Sequence, residues 1–85
     1  MSKIYIDTPT NGWSHMVSYD LDALHAFAQS LGIKRERFQN KKKKGKKQPH
    51  YDVRTILYDK ALEMGAIPVT RGELLTFLQK TFYPL

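Results

Sequence analysis

Three stretches of this chain repeat apolar residues at three- and four-residue spacing, and each follows a short run of β-forming residues. Leu21, Leu24, Phe27, Ala28 and Leu31 make the first face. Val53, Ile56, Leu57, Ala61 and Met64 make the second, and Leu74, Leu75, Leu78 and Phe82 the third. Such periodicity marks helices with one apolar side, which must be buried against something. The runs between them read as strands: Lys3 to Asp7, the alternating stretch Trp13 to Tyr19, a very short piece at His50-Tyr51-Asp52, and Ala66 to Thr70. Pro68 places the last of these at a sheet edge or strand end, because proline cannot donate to a ladder. The order predicts an α/β fold: one small domain over residues 1–85, a short sheet of about three to four strands and three helices.

Local signals bound the helices. Asp20 is suited to cap the first and Gly32 to end it; Asp52 and Gly65 have the same places around the second. Thr70 and Glu73 have capping-box spacing before the third, which runs to about Thr81. Thr8 to Gly12, with Asn11-Gly12, reads as a turn, and Ile33 to Gln39 as a bridging segment or short helical turn with Phe38 directed inward. Asn40 to Pro49 reads as a basic loop inserted in the domain, since adjacent lysines repel and Pro49 stops helix propagation.

Several short motifs occur in a fixed order: Ile4-Tyr5-Ile6-Asp7, Trp13-Ser14-His15, Asp22 to Ala28, Leu31-Gly32-Ile33, Arg37-Phe38-Gln39, His50-Tyr51-Asp52 and Ala61 to Ala66. Over positions 3–70 the chain resembles the small bacterial and phage proteins grouped as domain of unknown function 4031. The resemblance implies one compact domain and carries no function with it. The lysine loop sits where such proteins have a shorter connection, and the third helix lies beyond the resembling part.

Charge is concentrated in one place. The formal net charge is +6, from 14 basic and 8 acidic residues, and without the six lysines at 41–44, 46 and 47 the remainder balances. A local basic cluster is an electrostatic footprint for polyanions. Lys34, Arg35, Arg37, Lys41, Lys42, Lys43, Lys44, Lys46 and Lys47 are therefore the candidate nucleic-acid contacts, and the opposing reading is a solvated loop that confers solubility. No aromatic residue interleaves the lysine run, so it carries no stacking platform.

Chemistry, if present, belongs to Asp7, His15, His50 and Asp52. Two imidazoles and two carboxylates at strand ends suit general acid–base work or a divalent metal. If His50-Tyr51-Asp52 is extended, His50 and Asp52 share a face. No strong metal spacing such as HExxH occurs, so neither a metal nor another cofactor is identified. His25 reads as a half-buried structural histidine, Trp13 as a core anchor ahead of a stacking surface for a base or ligand, and Tyr5, Tyr51 and Tyr58 as core or contact residues alike. Ser14 beside His15 lacks the surroundings of a nucleophile.

Absence of cysteine, of an N-terminal apolar run and of any membrane-length apolar stretch predicts a soluble cytoplasmic protein without membrane association. The C-terminal Thr81 to Leu85 would dock on the domain itself or on a second copy, leaving a homodimer open. Three functions follow from these features. The leading one is a nucleic-acid-binding accessory protein using the lysine loop. The alternatives are a small hydrolase on a phosphorylated or nucleotide substrate using the His/Asp group, and a protein-interaction or inhibitor domain.

Overall fold

A computed structural model describes residues 2–40, 42–43, 46–47 and 49–82, without the side chains of 42, 43, 46, 47 and 82. Strand β1 (Tyr5–Asp7) leads through a tight turn into β2 (Trp13–Val17), followed by helix α1 (Leu21–Ser30). A 3₁₀ turn at Arg35–Arg37 precedes β3 (Lys42–Lys43) and β4 (Lys46–Lys47), and β5 (Tyr51–Arg54) comes next. A second 3₁₀ turn, Thr55–Leu57, enters α2 (Tyr58–Glu63); β6 (Ile67–Val69) and α3 (Arg71–Phe82) complete the order.

The main sheet has the strand order β5-β2-β1-β6. β1 pairs antiparallel with β2 and parallel with β6, and β2 pairs antiparallel with β5. The β1–β2 turn follows from Asn11-Gly12, which both adopt positive φ, at 53° and 87°. Thr10 and Trp13 exchange backbone hydrogen bonds of 2.8 and 3.1 Å across it, as the right-handed strand twist favours. β6 is an edge strand, which accommodates Pro68.

Helices lie on both faces. On the inner face Ile6, Met16, Tyr51 and Val53 pack with Leu24, Ala28 and Leu31 of the α1 region and Ala61 of α2, all buried. On the outer face Leu74 and Leu78 of α3 cover Val17, Tyr5 and Val69. α3 thus packs over the β1 side of that face. The outward residues of the β2–β5 side, Trp13, His15, Asp52 and Arg54, keep contact with solvent.

Helix ends follow the local signals. Asp20 accepts from the Ala23 backbone N–H at 3.1 Å. Gly32, at φ 84°, allows Ile33 and Gly32 to donate back to the carbonyls of Ala28 and Gln29, both at 2.9 Å, which closes α1. Thr70 and Glu73 form the reciprocal capping box, at 2.8 and 3.1 Å.

Three expectations are corrected. Asp52 caps no helix, because β5 continues to Arg54 and pairs residue by residue with β2, His15 opposite Asp52. Val53 fills the core opposite Ser14, and α2 begins only at Tyr58, so the apolar spacing from Val53 to Met64 spans a strand, a turn and a short helix. Ile56 consequently stands 84% exposed, not on a buried face. Trp13 is not a core anchor: Ser14 and Met16 take the inward side of β2, which leaves Trp13 outward and 43% exposed.

Within 40–49, Lys42 and Lys43 pair antiparallel with Lys47 and Lys46, making a short ribbon. Tyr83, Pro84 and Leu85 lie outside the described residues. Among the described residues, no helix is long and apolar enough to cross a membrane.

Candidate functional site

Cross-strand register brings the site together. Asp7 ends β1, His15 is central in β2 and Asp52 lies opposite it in β5, all outward; His50 immediately precedes β5. Asp7 is only 2% exposed, and both of its oxygens serve His15. Oδ1 accepts the His15 backbone N–H at 2.6 Å, and Oδ2 lies 2.9 Å from His15 Nδ1. A carboxylate at that distance assigns the ring proton to Nδ1, so the Nε2 lone pair of neutral His15 faces away from Asp7.

On that far side stands Asp52. Its Oδ1 is 3.9 Å from His15 Nε2 and 3.3 Å from His50 Nε2. The two imidazole rings meet edge to face, with centroids 5.4 Å apart. Gln39 donates from Nε2 to Asp52 Oδ2, which holds the carboxylate with Oδ1 toward the imidazoles. Gln39 is itself fixed by paired backbone hydrogen bonds with His50, both 2.9 Å. His15, His50 and Asp52 thereby offer three ligand atoms within 4.8 Å of one another, a set of the type that can hold a divalent ion.

Asp7, His15 and His50 also line a small cavity of about 40 Å³, together with Arg71, Leu74, Leu75 and Leu78 of α3. That space accommodates an ion or a few waters and excludes a larger ligand. α3 therefore supplies a largely apolar wall on one side.

Beneath it, Tyr51 points to the inner face between His50 and Asp52. Its hydroxyl meets His25 Nδ1 at 2.8 Å, and His25 stacks edge-on against Phe38 with centroids 4.6 Å apart. Burial, and then the nearby Arg35 charge, holds His25 below its ordinary value, while burial raises Tyr51. This pair is structural. It ties β5 to α1 and so holds the residues on either side of Tyr51.

Ser14 is fully buried on the face opposite His15, its hydroxyl without a hydrogen-bond partner among the described residues. Strand alternation separates the two side chains, so no Ser–His pair exists.

The chain matches the family profile described as protein of unknown function (DUF4031) over residues 4–81. The chain belongs to the DUF4031 family. In this DUF4031 protein the match runs through α3, past the 3–70 span of the sequence resemblance, so the helix walling the cavity belongs to the family's common part. No curated protein and no solved structure matches the chain.

The basic candidates divide. Lys34, Arg35 and Arg37 are exposed around the first 3₁₀ turn, where the Arg35 guanidinium lies 5.3 Å from the Phe38 ring centroid. Lys42, Lys43, Lys46 and Lys47 supply the ribbon backbone; Lys41 and Lys44 lie outside the described residues. Gln39 and Arg71 were not among the sequence candidates. Gln39 was visible only as the last residue of the Arg37-Phe38-Gln39 motif, and Arg71 only by its adjacency to the Thr70 cap.

Proposed function

We propose that this protein is a small divalent-metal-dependent hydrolase acting on a phosphorylated substrate. His15 Nε2, His50 Nε2 and Asp52 Oδ1 would hold the ion. The observation that carries this reading is the Asp7 carboxylate on His15 Nδ1 at 2.9 Å. An outer carboxylate of this kind fixes the tautomer and raises the basicity of a ligating imidazole. Ligand atoms around zinc stand about 3.3 Å apart for bonds of about 2.0 Å in tetrahedral geometry. His50 and Asp52 already meet that separation, and His15 is 3.9 Å from Asp52. Modest side-chain rotation closes the set.

Three protein ligands with one open position characterise catalytic rather than structural sites. A divalent ion held by these residues would lower the pKa of a coordinated water and so supply a nucleophile for a phosphate ester. Attack at phosphorus would break the ester P–O bond, and the departing oxygen would leave as an alcohol with a proton from solvent. An anionic substrate is supported by the location of the basic segment, whose base is the Gln39–His50 pair at the cluster itself.

The test is calorimetric titration of chelator-treated protein with Zn²⁺ and Mn²⁺, comparing wild type, His50→Ala and Asp52→Asn, with circular dichroism as the check on folding. The same samples are assayed on bis-p-nitrophenyl phosphate. The expected outcome is one ion per chain, metal-restored hydrolysis in wild type, and at least about tenfold weaker binding in each folded variant. Equal binding in all three proteins would refute the site.

A second reading rests on the same basic segment. Clustered lysines bind nucleic acid without sequence preference, by displacing condensed counterions. This reading needs no metal, and salt dependence separates it from the first.

A further inference from the structure

Next to the cluster, at the open end of β2 and β5, lies a second feature. Trp13, Ile33, Lys34, Arg37, Arg54 and Leu57 line an open cleft of about 270 Å³, and Asp52 completes its wall. Asp52 is thus shared: it borders this cleft, while its Oδ1 faces the two imidazoles. The volume is near the lower limit of small-ligand sites, roughly 300 Å³.

The composition of the cleft is specific. Trp13 and Arg54 are cross-strand partners, and the guanidinium carbon lies 5.3 Å from the indole centroid. Even so, Trp13 stays 43% exposed. Tryptophans in small domains gain most from burial, and this one is presented at the rim of a cleft instead. Lys34, Arg37 and Arg54 bring three formal positive charges to the same cleft, against Asp52. A flat aromatic platform beside arginine forks is the combination that holds a nucleobase by stacking and its phosphate by paired N–H donors.

We infer that this cleft binds a nucleobase together with its adjoining phosphate, the base on Trp13 and the phosphate on Arg37 and Arg54. Bound this way, the phosphate lies on the Asp52 side and the substrate of the neighbouring centre is a nucleotide or a single-stranded nucleic acid. As a substrate assignment this rests on the metal-dependent reading above; as a binding site it does not.

Trp13 is the protein's single tryptophan, so its fluorescence reports on the cleft itself. The experiment titrates the full chain with AMP, ribose 5-phosphate and hexathymidylate in the presence of chelator, for wild type and Arg37→Ala. The expected result is saturable quenching by AMP, with AMP at least about tenfold tighter than ribose 5-phosphate. Arg37→Ala weakens it. Trp13→Leu, followed by equilibrium dialysis, loses the preference for AMP over ribose 5-phosphate. Hexathymidylate binding tighter than AMP identifies nucleic acid as the source of the base, and the reverse identifies free nucleotide; both support the cleft.

Equal affinity for AMP and ribose 5-phosphate, quenching that never saturates, or quenching unchanged in Arg37→Ala overturns the inference. Because no metal is present, these outcomes are independent of the ion titration. AMP binding without metal binding sinks the hydrolase reading alone, and metal binding without AMP binding sinks this one alone.

Discussion

Asp7 is the residue whose environment is most committed to a single task. It is buried, and a buried carboxylate is costly unless its oxygens are satisfied. Here both go to His15. Asp7→Asn keeps the shape and removes the charge, so the proposed ion should bind roughly 10- to 100-fold more weakly while the fold survives. Competition against a chelating dye measures this, and unchanged affinity would show that Asp7 only braces the β1–β2 pair. His25 makes a second prediction. Its folded value lies below the ordinary 6.5, so the unfolded chain takes up the proton first as pH falls. The stability His25 contributes is therefore full above about pH 6.5 and is lost as pH drops toward the depressed folded value. Thermal melts at about pH 7 and about pH 5 should show the margin of wild type over His25→Gln shrinking on acidification. A margin independent of pH would contradict it. Residue chemistry was legible in advance for Asp7, His15, His50 and Asp52 as types, but their meeting was not, because it depends on the register of three strands. Trp13 was misread for a related reason: alternation shows that β2 has two faces, not which face a helix will cover.

Helix ends are where local sequence and structure agree most closely. Asp20, Gly32, Thr70 and Glu73 act through backbone groups within a few residues, so nothing distant can override them. Thr70→Ala breaks the capping box and should cost about 1 kcal/mol. For a domain of this size that is a fall in melting temperature of roughly 4–8 °C. A melting temperature within error of wild type would mean that α3 is held by Leu74 and Leu78 alone. The segment from Asp52 to Leu57 is the opposite case. Its apolar spacing fits a helix, yet pairing with β2 draws Asp52, Val53 and Arg54 into the sheet. β-branched Val53 gains more from the core opposite Ser14 than from a helical turn. This competition is settled by tertiary pairing, which single-chain periodicity does not contain.

Across the whole molecule, helices on both sides of a four-stranded sheet leave the β2–β5 side of the outer face in contact with solvent, and the candidate site lies there at the edge of α3. α3 covers β1 with Leu74 and Leu78, and the β2–β5 half of the same face carries His15, Asp52, Trp13 and Arg54. The fold class and helix number followed from the order of elements; which part of the outer face stays open could not be read until α3 was placed. The charge asymmetry acts at this scale too. Replacing residues 41–47 by a Gly/Ser chain removes six lysines. It should flatten the salt dependence of polyanion binding by up to about five in the log–log slope. Fluorescence anisotropy at several salt concentrations measures the slope, and identical slopes would remove the lysines from the contact.

Gln39 and His50 are clamped to each other by two backbone hydrogen bonds before the chain between them is considered. Whatever joins them closes a loop whose ends are already fixed, and the entropy of closure grows only with the logarithm of its length. The position is accordingly a socket. Segments of different length and charge can be exchanged there at small thermodynamic cost while the imidazoles and carboxylates keep their places, so the charge carried beside the cluster can change independently of the cluster itself.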